Sequence, residues 1–215
     1  MSARLLALVC LECGLTALPA LAAENLESSH TTIAVYLNSG SNRGPELAVM
    51  KREAEALLEG AGFRIDWRSL SGSASSQTAE LAVVDLRGSC TADPSPSHAP
   101  LPDGDVVLAS TAVIDGRVEP FSDLDCNAVG RLLAPALSRT PAGFRSYLYG
   151  RAMGRILAHD LYHVIVKTRD HDAAGVAKPC FSIADLLGSS FEFETITLAR
   201  LHTDAAVSAE DTSGR

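Results

Sequence analysis

The chain has 215 residues, of which 47% are hydrophobic and 20% charged, values that are ordinary for one globular domain. Its net charge is −8 and it has no cluster of lysines and arginines. This balance argues against nucleic acid and against an anionic membrane surface as partners. We expect a single domain that is a monomer.

The first 22 residues have the pattern of a secretory signal. Arg4 gives a positive start, Leu5 to Leu18 is mostly apolar, and Ala20-Leu21-Ala22 fits a small-residue cleavage site. The apolar run is interrupted by Glu12 and is too short to span a bilayer. We therefore predict cleavage near Ala22, export to the periplasm or out of the cell, and a mature chain without a membrane span.

Export would change the cysteine count, because Cys10 and Cys13 lie within the predicted signal. Cys90, Cys126 and Cys180 remain, and an exported protein can hold a disulfide. We favour a bond between Cys90 and Cys126, which flank the middle of the domain. Cys180 would then be free or an additional site residue, and a bridge from Cys180 to either of the others stays open.

The first part of the mature chain predicts strands around one helix. Pro45 is typical of the first turn of a helix, and the glycines at 60 and 62 are typical of its end. Hydrophobic patterning predicts three strands, the last nearly all apolar and therefore central: Thr31 to Leu37, Phe63 to Leu70 and Glu80 to Leu86. The early strand-helix-strand order favours a right-handed crossover.

The second part of the chain predicts loops, a hairpin and two helices. The serine- and glycine-rich run from Ser71 to Ser76 and the proline-rich run from Ala92 to Gly104 are typical of connections. The remaining predictions are a strand over Asp105 to Ser110, a hairpin over Val113 to Val118 with an Asp115-Gly116 turn, a helix over Asn127 to Leu137, a long helix over about Phe144 to Thr168, and a disordered tail over Thr203 to Arg215. The domain would thus span residues 23–202.

Three histidines lie close together on the predicted long helix and just after it. His159 and His163 are four residues apart, so both imidazoles can reach one ion from one helix face, and His171 follows eight residues later. Three neutral imidazoles and one open position make a catalytic zinc site. The pattern H-D-x-x-H differs by one residue from the H-E-x-x-H signature of zinc proteases. The alternative is that these histidines only pack or titrate.

Asp160 stands where a zinc protease has the carboxylate that takes a proton from water. Aspartate is one methylene shorter than glutamate, which removes about 1.5 Å of reach. Because a misplacement of about 1 Å already slows catalysis, we weigh a general base equally against a supporting or solvent-facing acid.

The motif His159-Asp160-Leu161-Tyr162-His163, seven further residues, His171 and then Ala174-Gly175-Val176-Ala177-Lys178 resembles a bacterial metzincin-like zinc metalloprotease group. That group has H-E-x-G-H, a third histidine eight residues later and a Gly-Ile-Met turn. The resemblance implies zinc as the cofactor, His159, His163 and His171 as its ligands, Asp160 in the general-base position and Gly175 to Lys178 as a turn beneath the metal. It also implies an α+β, zincin-like fold, with a mixed twisted sheet packed on an N-terminal helix and on the metal-binding helix.

The resemblance covers about residues 150 to 180, and the chain departs from the group at three positions within it. Asp160 replaces glutamate, Lys167 stands where the group has the glycine that lets the helix end, and Ala177 replaces the methionine of the turn. Other candidate ligands rank below His171, namely Asp170, Asp172, Glu192, Glu194 and Cys180. Tyr162 is a candidate for oxyanion stabilisation and more often a packing residue, and Ser182-x-x-Asp185 predicts a capping box.

We therefore expect an exported zinc peptidase that acts on a peptide or protein substrate. Two alternatives stay open. The first is a catalytically inactive zinc-binding relative that serves as a peptide- or protein-binding module, and the second is an acidic domain without a metal.

Overall fold

The structure is a computed structural model that describes residues 30–69, 80–92 and 106–203. The predicted signal, the connection at 71–76, most of the proline-rich loop and residues 204–215 of the predicted tail lie outside the described residues. The described part contains β1 (Thr31–Asn38), α1 (Pro45–Gly60), β2 (Phe63–Arg68), β3 (Glu80–Arg87), β4 (Ala109–Ile114), β5 (Arg117–Asp125), α2 (Cys126–Leu137), α3 (Ala142–Val166), α4 (Ile183–Leu187) and a last helix, α5 (residues 195–203).

The five strands form one mixed sheet in the order β2-β1-β3-β5-β4. The neighbours among β2, β1, β3 and β5 are parallel, and β4 alone pairs antiparallel, with β5. The helix α1 connects the parallel strands β1 and β2, as the strand-helix-strand pattern predicts. The apolar strand β3 lies in the centre of the sheet, which confirms the prediction from its composition.

A tight turn joins β4 and β5 at the edge of the sheet. Asp115 and Gly116 both have positive φ angles, 50° and 80°, which suit the two central positions of a type I′ turn. The hairpin prediction is confirmed, but β5 continues far beyond Val118. The pairing register shifts near Pro120, which has no N–H to donate to a neighbouring strand. Because a proline disfavours a strand, the sequence did not predict the full length of β5. The strand predicted over Asp105 to Ser110 was placed too early, because β4 begins at Ala109.

The long helix α3 packs against the sheet and against α1, α2 and α4. Almost every side chain from Tyr149 to Ile165 is buried. Two glycines let α1 approach it closely, because a Cβ on Gly150 would lie 2.5 Å from the Glu46 carbonyl oxygen, and one on Gly154 would lie 2.6 Å from that of Met50. The glycine pair thus serves helix packing in the core.

A disulfide links Cys90, just after β3, to Cys126 at the start of α2. The pairing favoured from the sequence is therefore confirmed, and Cys180 is free and exposed. The Tyr149 hydroxyl donates a 2.6 Å hydrogen bond to the Cys126 carbonyl, so the disulfide region also contacts α3. Among the described helices, none combines the length and the apolar character needed to cross a bilayer.

Candidate metal centre

His159 and His163 project from the same face of α3, as their spacing predicts. Their Nε2 atoms lie 3.1 Å apart. The Nδ1 of His159 lies 2.8 Å from the Val176 carbonyl oxygen, and the Nδ1 of His163 lies 2.8 Å from that of Thr168. Since a carbonyl oxygen only accepts, each Nδ1 carries the proton, and each Nε2 is left with its lone pair towards the other ring.

Burial favours the neutral form of both rings. It lowers the pKa of His159 to about 4, with the neighbouring His163 adding to the effect, and it also lowers the pKa of His163. Two neutral nitrogens that face each other at this distance have lone pairs but no proton to share. A cation between them resolves that conflict, so the pair fits a metal ion.

His171 joins the pair from the loop that follows α3. Its ring stacks on that of His159 with centroids 5.3 Å apart, and the candidate ligand atoms of His159, His163 and His171 all lie within 4.8 Å of one another. Three imidazole nitrogens are a donor set that zinc accepts, with a fourth position left for water or substrate. The three histidines could therefore hold a metal ion.

The chain bends sharply between the helix and the third histidine. The helix α3 ends at Val166, and Lys167 takes a left-handed conformation with φ 52° and ψ 34°. This is the position where the protease group that the motif resembles has glycine, the residue best suited to such a backbone. The lysine bends the chain in the same way, and its ammonium lies 3.1 Å from the Glu80 carboxylate.

The segment from Gly175 to Lys178 lies against the histidines. The Val176 carbonyl accepts the hydrogen bond from His159, and the Val176 amide donates to the Glu192 carbonyl at 3.0 Å. Val176 and Ala177 are fully buried. The smaller Ala177 thus occupies a packed position next to the centre, where the group has methionine.

Asp160 lies beside His159 with only 4% of its surface exposed. Burial raises the pKa of its carboxyl to about 8, with the nearby Asp123 as a second cause. No side chain or amide among the described residues donates a hydrogen bond to it. The carboxyl lines the same cavities as the histidines, so it belongs to the site and is not solvent-facing.

A cavity of about 420 Å³ opens next to His159 and Asp160. Its walls come from the start of β4, from α2 and α3, and from the segment that follows the turn; the apolar ones include Val107, Leu108, Leu132, Ile156, Pro179 and Phe181. A second depression of about 370 Å³ contains all three histidines and runs along β4. The candidate metal centre therefore lies in a cleft that has β4, an edge strand of the described sheet, along one side.

The other candidate ligands take no part in the cluster. The Asp172 carboxylate pairs with Arg200 at 2.7 Å. Glu192 and Glu194 line a separate cavity of about 660 Å³, and Cys180 lies on the wall of the apolar cavity. The predicted capping box at Ser182 and Asp185 is present and begins α4.

Comparison with known proteins supports this architecture. No protein-family model and no curated protein sequence matches the chain. Among solved structures, archaemetzincin from Methanopyrus kandleri is similar with a TM-score of 0.51 and 14% identity, over 84% of this chain and 98% of that one. The fold is zincin-like. The expected mixed sheet, N-terminal helix and histidine-bearing helix of a zincin-like fold are thereby confirmed.

One element near the candidate metal centre, the helix α5, was not predicted from the sequence. No helix was predicted there, although Leu198 and Leu201 are three residues apart and Leu201 is fully buried. That spacing was the available signal. The polar face of α5 supplies Thr197 and Arg200, which contact the loop of the third histidine.

Proposed function

We propose that the protein is a zinc-dependent peptidase in which His159, His163 and His171 hold the metal and Asp160 is the general base. The observation that carries the proposal is the convergence of three histidines, two of them oriented as neutral ligands, beside a buried carboxyl in an open cleft.

A bound zinc ion would polarise the scissile carbonyl and make water acidic enough to react near neutral pH. Asp160 would accept the proton from that water and return it to the leaving amine. Burial, with Asp123 as a second cause, raises the pKa of this carboxyl to about 8, whereas a divalent cation beside it would favour the ionised form. The shorter side chain gives it less reach than glutamate, so we expect modest turnover.

The cleft suits an extended peptide. In the described sheet β4 pairs on one side only, and its residues Ser110 and Thr111 line the depression that contains the histidines. An edge strand can pair with a peptide through backbone hydrogen bonds. The apolar cavity walled by Leu132, Ile156 and Phe181 would take one apolar side chain of that peptide.

We further propose that the protein is exported and acts as a monomer. The Cys90–Cys126 disulfide is compatible with an oxidising compartment, as the predicted signal requires. N-terminal sequencing of the exported protein should find a start near Ala23, and a retained Met1 would contradict the signal.

A second candidate is a zinc-dependent peptide-binding module without turnover. The deep burial and raised pKa of the Asp160 carboxyl favour it, because a carboxyl that stays protonated cannot act as a base. In this case the cleft would hold the peptide, and the metal would help to bind it.

The test compares zinc content and peptide hydrolysis in the wild type, His159→Ala, Asp160→Asn and Asp160→Glu. We expect His159→Ala to lose zinc, and Asp160→Asn to keep it while hydrolysis falls by about 10²–10⁴-fold, the usual contribution of a general base. Asp160→Glu should restore the longer reach and raise turnover.

Three other outcomes would decide against the proposal. If Asp160→Asn loses zinc as fully as His159→Ala, Asp160 is a ligand. If the wild type and Asp160→Glu are both inert while loaded with metal, the binding module is the correct function. If the wild type binds no zinc, the histidines have another role.

A further inference from the structure

The three histidines differ in how their rings are held. The rings of His159 and His163 are each fixed by a hydrogen bond to a backbone carbonyl. His171 is exposed, and within the described residues its ring contacts the other two imidazoles but makes no hydrogen bond of its own outside them. Its position therefore depends on the backbone that carries it.

That backbone is fixed one residue further on, at Asp172. The Asp172 amide donates a 2.9 Å hydrogen bond to the Ala177 carbonyl, which closes the loop between the third histidine and the turn. The Asp172 side chain is only 8% exposed, and its carboxylate accepts hydrogen bonds from Arg200 Nη1, at 2.7 Å, and from Thr197 Oγ1. Both donors belong to α5.

The same arginine also contacts the helix that carries the other two histidines. Arg200 Nη1 lies 3.5 Å from the hydroxyl of Tyr162, which immediately precedes His163. One guanidinium therefore contacts both the third-histidine loop and α3. Since Asp172 is buried and charged, removal of its partner would leave an uncompensated carboxylate, and the loop would have to move to hydrate it.

We propose that Arg200 and Thr197 are positioning residues, which clamp Asp172 so that His171 stays within reach of the zinc held by His159 and His163. This inference rests on the proposed zinc site. It assigns to α5, a helix with no ligand of its own, control over the affinity of the metal.

The physical basis is preorganisation. Two histidines on a rigid helix are ready to bind, whereas a mobile third ligand must be ordered when the ion arrives, and that ordering weakens binding. Residues that support metal ligands typically change affinity by about 10–100-fold when they are removed. We expect Arg200→Ala to weaken zinc binding by about 10-fold or more, and the isosteric Thr197→Val by less.

The experiment measures zinc affinity of the full-length protein by competition with a chelator. It compares the wild type, Arg200→Ala, Thr197→Val and Asp172→Asn. The matched control is Arg68→Ala, which removes a guanidinium that pairs with Asp66 at 2.8 Å on β2, the strand at the opposite edge of the sheet from β4. Visible absorption of the cobalt-loaded proteins reports whether the third imidazole still coordinates.

We expect the three clamp variants to lose affinity and to show an altered cobalt spectrum, and Arg68→Ala to match the wild type in both. Arg200→Ala combined with Asp172→Asn should bind no more weakly than the worse single variant, because each removes the same clamp. Thr197→Val serves if Arg200→Ala fails to fold.

The outcomes separate the two proposals. Tight binding by the wild type with unchanged affinity and spectrum in the clamp variants overturns the clamp and leaves the zinc site standing. Equal losses in the clamp variants and in Arg68→Ala also overturn it, since the effect would then be general destabilisation. A wild type that binds no zinc overturns the proposed function, and the clamp with it.

Discussion

The histidines on the helix and the histidine on the loop represent two ways of placing a candidate metal ligand. His159 and His163 are 9% and 7% exposed, and α3 with its neighbouring carbonyls determines both position and ring orientation. His171 is exposed, and contacts made by the following residue hold its backbone. Two candidate ligands thus lie on a helix that the core requires in any case, whereas the position of the third depends on tertiary contacts of the loop.

This contrast separates stability from metal affinity. The core around α3, with its glycine contacts and the nearby disulfide, should control the free energy of unfolding. The loop and α5 should control how well the third ligand is placed. Three predictions test that separation, from the largest expected effect to the smallest.

The largest effect should come from the disulfide. The bond closes a separation of 36 residues, and such a loop is expected to stabilise the fold by about 3–4 kcal/mol. Replacing both Cys90 and Cys126 by alanine should lower the unfolding free energy of the metal-free protein by at least that amount in denaturant titrations. Reduction of the wild type is the control without a substitution. The zinc affinity of the folded fraction should not change, and a loss as large as that of Arg200→Ala would contradict the separation.

The second prediction compares the stability effects of removing one histidine from the helix and one from the loop, in the metal-free protein. His159→Ala removes a buried ring with a hydrogen bond to the Val176 carbonyl, so it should cost about 1–3 kcal/mol. His171→Ala removes an exposed ring and should change stability by less than about 0.5 kcal/mol. Thermal or chemical unfolding measures both, and both variants should lose zinc. Equal destabilisation would show that the third histidine is as much a part of the core as the first.

The smallest effect concerns Lys167, at the junction between the two regions. A left-handed conformation costs a residue with a Cβ about 1 kcal/mol, and glycine avoids this cost. Lys167→Gly should therefore stabilise the protein by up to about 1 kcal/mol. Lys167→Ala keeps the strain and loses the contact with Glu80, so it is the matched control. A Lys167→Gly variant less stable than Lys167→Ala would show that the junction does not carry this strain.

The sequence by itself determined the features that depend on short separations. Pro45 begins α1, Asp115-Gly116 forms the hairpin turn, and a spacing of four residues places His159 and His163 on one face of α3. These follow from backbone geometry and helical periodicity, which act within a few residues and hold whatever surrounds them. Lys167 was singled out differently, by the resemblance to the protease group, which has glycine at that position.

Only the tertiary structure decided which of these residues meet the rest of the site. The burial of Asp160 depends on the sheet and the cavity walls, so the sequence left its exposure open. Arg200 reaches Asp172 across 28 residues, through a helix that a short, mostly polar stretch did not clearly predict. Contacts of this kind depend on how separate elements pack. Local helix and strand propensities contain no information about a contact partner that is so distant in the sequence.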